Sequence, residues 1–173
     1  MTERFFLGLL LILAIPANAQ DCKYLQNKVS GMDGTRLVIT EPVIFSNQKN
    51  GENMEIWSTI YGDTAVVLAF VVYSDSNISV SKGDTLNVTP EDNPPVYLLV
   101  HQDASAMGGE MKKLTVLTVP DQNQLQRLER FPAYKISVNT SQGIKFFSTK
   151  KKKKANTIRY LVGCVKSYLN ENQ

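Results

Sequence analysis

Histidine, cysteine and tryptophan are scarce in this chain: its 173 residues include one His, two Cys and one Trp. With His101 as the sole imidazole, a Ser-His-Asp triad has one available base, and the acid nearest to it, Asp103, lies two residues away at the same strand end. No G-x-S-x-G elbow, H-E-x-x-H helix, P-loop or dinucleotide fingerprint accompanies it. Two thiols and one imidazole cannot supply the three or four soft ligands of a zinc site. No D-x-D-x-D spacing with a downstream Glu marks a calcium loop at Asp75 or Asp84. The expected cofactor is therefore none, and the expected metal none. Long apolar runs are also missing. Beyond the N-terminus the longest, Thr64 to Tyr73, has ten residues, about half of what a helix needs to cross a bilayer, so an integral membrane protein is not expected.

What is present begins at the N-terminus. Glu3 and Arg4 form a small charged head, Phe5 to Ile15 an apolar run, and Pro16 precedes Ala17-Asn18-Ala19. This is the pattern of a secretory signal peptide cleaved after Ala19. The apolar run is too short for an uncleaved anchor, and Cys22 lacks the preceding small-residue box that lipid attachment requires. Residues 20–173 are then expected to form one domain, periplasmic or secreted, long enough to bury a single core. In an exported chain two cysteines suggest one disulfide. Cys22 with Cys164 would close a loop worth roughly 4 to 5 kcal/mol in the chain-entropy model. A buried thiol pair and intermolecular bridges are the alternatives.

Thr64 to Tyr73 reads as a strand, because it is rich in β-branched Val and bounded by turn formers at Gly62-Asp63 and Ser74 to Asn77. Both of its alternating sets are apolar, so both faces are expected to be covered. Met54 to Tyr61 alternates and joins it as an antiparallel hairpin. Arg36 to Phe45 reads as a first strand, with Pro42 marking an edge or bulge. Further strands are expected at Ile78 to Val80, Leu86 to Val88, Val96 to Val100 and Lys113 to Val119, with Gln102 to Gly109 as a flexible loop between the last two. Asp121 and Gln124 form a capping box opening a short helix through Arg130. Tyr134 to Val138 and Ile144 to Phe147 form a hairpin. A final amphipathic helix runs from about Asn156 to Leu169. The class is α+β: mainly antiparallel sheet, one short helix, and a C-terminal helix packed on it.

This layout resembles the small exported domains of Bacteroidetes bacteria. The likeness lies in the A-N-A-Q export junction, the Lys82-Gly83-Asp84 turn, the Leu125/Leu128 helix before Tyr134-Lys135-Ile136, and the lysines ahead of the last helix. It implies compartment and fold and brings no catalytic residues to this sequence.

The feature that exceeds what a fold needs is Lys150, Lys151, Lys152, Lys153 and Lys154. The net charge is +3, and without these five it would be −2, so the basicity is local. Cations placed before a helix face its positive dipole end. The run is expected either to dock an anionic envelope polymer or lipid head groups, with salt-sensitive binding, or to serve as a solvated loop that shields a sheet edge. Nucleic acid is not the expected partner. Other candidates have plainer readings. Glu91 with Asp92, or Asp63 with Asp84, suit a glycosidase pair, yet acids beside Gly and Pro are what turns require. Trp57 and Tyr61 share a strand face and suit a carbohydrate platform, or ordinary packing. The sequons at Asn77, Asn87 and Asn139 read as turn and strand residues. The sequence thus describes an exported, non-enzymatic binding or scaffolding protein of the envelope. An exported hydrolase acting on glycan or peptide and a subunit of an envelope protein complex are the alternatives.

Overall fold

The computed structural model describes Cys22 and residues 26–29, 34–48, 51–62 and 65–171; the first 19 residues, read above as a signal peptide, lie outside them. Twelve strands and three helices are described, in the order β1 (Gln26–Val29), β2 (Arg36–Ile39), β3 (Val43–Asn47), β4 (Asn53–Tyr61), β5 (Ala65–Ser74), β6 (Ser79–Val80), β7 (Thr85–Pro90), β8 (Val96–Leu99), β9 (Ala104–Ser105), β10 (Lys112–Thr118), α1 (Gln122–Arg130), β11 (Ala133–Thr140), β12 (Gly143–Ser148), α2 (Lys152–Ala155) and α3 (Thr157–Glu171). The protein is an α+β fold built mainly on antiparallel sheet.

The β4–β5 hairpin is the centre of a six-stranded sheet ordered β1-β2-β4-β5-β10, with β3 also on β4. Its register runs from Asn53 opposite Tyr73 to Tyr61 opposite Ala65. Gly62 turns the hairpin at φ 64°, a conformation that only glycine takes at little cost. Where one strand over Arg36 to Phe45 was expected, the chain breaks at Thr40 to Pro42. Both pieces still pair with β4, β2 against Thr59–Tyr61 and β3 against Asn53–Ile56 with a bulge at Phe45. Pro42 has no N–H to extend a ladder, while Thr40 bonds across the break to Ser58 through both N–H and Oγ1.

A second, four-stranded sheet is ordered β12-β11-β7-β8. The two sheets meet along two seams. At one, Val100 bridges Thr118, and the His101 N–H donates to the Leu117 carbonyl at 2.8 Å. At the other, Ser46 Oγ and Gln48 Nε2 donate to the β12 carbonyls of Ser148 and Phe146 at 3.1 and 2.6 Å. The two sheets thus enclose one shared core. Its interior holds Phe45, Met54, Ile56, Leu68, Phe70, Leu86, Leu98, Leu114, Ile136 and Phe147, all at 1% exposure or less. Helix α3 packs on both β4 and β11, adding Ile158, Leu161, Val162 and Val165 to this core.

Both faces of β5 are withdrawn from solvent along its middle, as expected, and the core-facing set is the more completely buried. Val66, Leu68, Phe70 and Val72 enter the core. On the outer face Ala69 and Val71 are shielded by their in-sheet neighbours: Ala69 lies opposite Trp57 and Leu117, and Val71 opposite Glu55 and Thr115. The 102–109 segment is pinned rather than free. It contributes β9 to a pairing with β6, Ala106 donates to the Ile78 carbonyl, and Met107 bridges Lys113.

Candidate functional site

The cysteines lie together: Cys22 and Cys164 form a disulfide with Cα atoms 5.5 Å apart across 142 residues of sequence. Cys164 is buried on α3, so the bond fastens the N-terminal end of the described chain to the C-terminal helix. Such bonds persist in oxidising compartments. No described helix is long and apolar enough to cross a membrane.

The residues weighed for catalysis do not converge. His101 is exposed at the seam between the sheets. Asp103 caps a turn, accepting from the Lys82 N–H at 2.7 Å, and Asp84 accepts from the Ser81 N–H at 2.7 Å. Glu91 and Asp92 are exposed in the β7–β8 turn, and Asp63 lies outside the described residues. Among the described residues no cluster of three metal-ligating side chains occurs.

Surface depressions larger than a side chain include two lined by described residues. One, of about 450 Å³, lies between the start of β5, the start of α1 and the end of α3. Its one charge, Lys166, is already bonded to Glu129. The other, of about 330 Å³, is lined by Ile44, Asn47, Asn53, Glu55, Tyr73 and Met111. There the Tyr73 hydroxyl donates to Glu55 Oε2 at 2.9 Å. Burial, this hydrogen bond and the carboxylate's charge all raise the phenol's pKa above its ordinary value. The two side chains thus bond to each other within the depression.

Compared with protein-family models, curated protein sequences and solved structures, the chain matches none. Its chemistry has to be read from its own surface.

The lysine run sits at the corner between β12 and α3. Lys152, Lys153 and Lys154 form the short helix α2 themselves, where a solvated stretch ahead of a helix was expected. Both ends of the run are fixed. Thr149 is buried, and its Oγ1 accepts from the Lys151 N–H at 3.1 Å; Ala155 is fully buried and donates to the Lys151 carbonyl at 3.0 Å. Lys150 to Lys153 are exposed and Lys154 is half-buried. None of the five makes an ion pair with a described residue.

Trp57 and Tyr61 do share the outer face of β4, but Trp57 is half-buried beside Ala69. The more exposed rings are on the other sheet. Tyr97 and Leu99 on β8, and Ile144 and Phe146 on β12, are between 51% and 63% exposed on one outer face. Sequence reasoning missed this group, although the apolar residues at the polar-facing positions of these strands were a visible signal.

Proposed function

We propose that this is an exported, non-catalytic binding protein of the cell envelope, and that the corner carrying Lys150 to Lys154 engages an anionic partner, an envelope polymer or lipid head groups. Export rests on the signal-peptide pattern of the first 19 residues, with the disulfide as support. Binding rests on one observation: five consecutive lysines held by buried Thr149 and Ala155, none of them in an ion pair with a described residue. Like charges at this density repel one another, and an anion that settles among them relieves the repulsion. The ammonium groups are point charges without the fork geometry of arginine, which suits a polyanion held by charge density.

The experiment is retention of the mature protein on heparin and on vesicles of anionic lipid at low and moderate salt. Wild type is expected to bind at low salt and to elute well before a charge-independent binder, since exposed charges are screened beyond about 10 Å at 0.1 M salt. Replacing all five lysines by Gln is expected to abolish retention with an unchanged circular dichroism spectrum. Equal retention of the Gln variant would show that the run only solvates the corner.

A further inference from the structure

The outer face of the four-stranded sheet has an unusual distribution of side chains. Tyr97 lies opposite Asn87, Asn87 alongside Ser137, and Ser137 opposite Phe146, so one row crosses all four strands. The next row along begins with Leu99 opposite Thr85 and ends with Asn139 opposite Ile144. Large, half-exposed apolar side chains therefore stand on the two edge strands, three inter-strand steps or roughly 14 Å apart. In these two rows the central strands carry only small polar side chains between them, Thr85, Asn87, Ser137 and Asn139. The face is a polar-floored trough with an aromatic ring on each bank.

The floor is under-bonded. Asn87 Nδ2 donates to Ser137 Oγ at 3.3 Å, while Asn87 Oδ1 is buried without a partner. The side chains of Thr85, Thr89 and Asn139 and the Tyr97 hydroxyl make no hydrogen bond to described residues. The trough also leads to the lysines. Lys135 lies over the Phe146 ring at 4.3 Å and opposite Ser148, two residues before Lys150.

We propose that this face is a saccharide platform, and that the anionic partner of the lysine run is an acidic polysaccharide. The proposal rests on the anion-binding reading given above and names its ligand. Sugar rings present apolar C–H faces that stack on Tyr97 and Phe146, and hydroxyls that match the amide and hydroxyl groups of the floor. Acid substituents then fall to Lys135 and the exposed lysines of the run. A lipid surface fits this face less well, because apposition would strip water from the floor without replacing its hydrogen bonds.

The test compares wild type, Tyr97→Ala/Phe146→Ala and the five-lysine Gln variant on polygalacturonate, heparin, dextran and vesicles of anionic phospholipid, by affinity electrophoresis and vesicle sedimentation. The expected result is a Kd for the acidic polysaccharides at least tenfold weaker in the Ala variant, with vesicle binding unchanged. The lysine variant should lose binding at low salt, and dextran should bind weakly to all. Both rings are exposed, so folding is checked simply by an unchanged thermal midpoint. Wild-type affinity of the Ala variant for the polysaccharides overturns the platform and leaves the lysine reading standing. Vesicle binding without polysaccharide binding overturns the saccharide assignment. Polysaccharide binding by the lysine variant equal to wild type overturns the anion-binding reading on which the proposal stands. No binding of wild type to any anionic probe overturns both.

Discussion

At the scale of single residues, the interactions that decide local structure act over a few positions. The Asp121 carboxylate accepts from the Gln124 N–H at 2.8 Å, and Gln124 Oε1 accepts from the Asp121 N–H at 2.7 Å. That reciprocal pair was legible in the sequence because its partners are three residues apart. Tyr73 and Glu55 are joined only by strand pairing, and nothing local announced them. Their bond makes a pH prediction. The Tyr73 pKa is raised in the folded state, so its contribution to stability is complete below the ordinary tyrosine value of 10.0 and is lost as pH rises through the folded pKa. The charged groups facing it are Glu55 and, across the ladder, Lys113. The urea midpoint of wild type should fall between pH 9 and pH 11 by more than that of Tyr73→Phe; parallel curves would rule the linkage out.

At the scale of elements, alternation and turn chemistry identified the β4–β5 and β11–β12 hairpins, α1 and α3. They did so because each of these forms from contiguous residues with a clear period. The departures have physical causes. The strand expected over Arg36 to Phe45 is broken because Pro42 cannot donate to a ladder. The segment from Gln102 to Gly109 is composed like a loop, yet it is held by β6 and β10, which no local pattern reveals. Lysines can extend a helix once buried Ala155 anchors the turn, so Lys152 to Lys154 are helical where their charge suggested solvated chain. Helix α3 depends on one face: Ile158, Leu161, Val162 and Val165 are at 1% exposure or less, and the Leu161 carbonyl accepts from the Ser58 hydroxyl at 3.3 Å. Leu161→Ala removes core atoms at the point where α3 meets β4. It should cost about 2 to 5 kcal/mol of unfolding free energy in urea titration, while a loss below about 1 kcal/mol would mean that the helix is not seated there.

At the scale of the whole molecule, the two seams and the disulfide turn separate pieces into one unit. Lys145 Nζ meets Glu52 Oε1 at 2.6 Å, linking β12 to the turn before β4. Cys22–Cys164 constrains nearly the whole described chain, and loop-closure entropy for a separation of 142 residues corresponds to about 5 kcal/mol. The Cys22→Ser/Cys164→Ser variant should unfold at a much lower urea concentration than wild type, and adding a reductant should shift wild type but leave the variant unmoved. A midpoint equal to that of wild type would show that the bond adds no net stability.

The sequence by itself determined the features whose partners lie within a few residues: the strand and helix periods, the caps and turns, and the five lysines. Cysteine count, read together with the signal-peptide pattern, also suggested the disulfide. Tertiary structure alone decided that Tyr97 and Phe146 stand on opposite banks of one trough, although 49 residues separate them in the chain. Their placement follows from three successive strand pairings, and each pairing is chosen by how the core packs rather than by the residues that face water. For the same reason Trp57, the more conspicuous aromatic in the sequence, lies half-buried while less conspicuous rings face solvent.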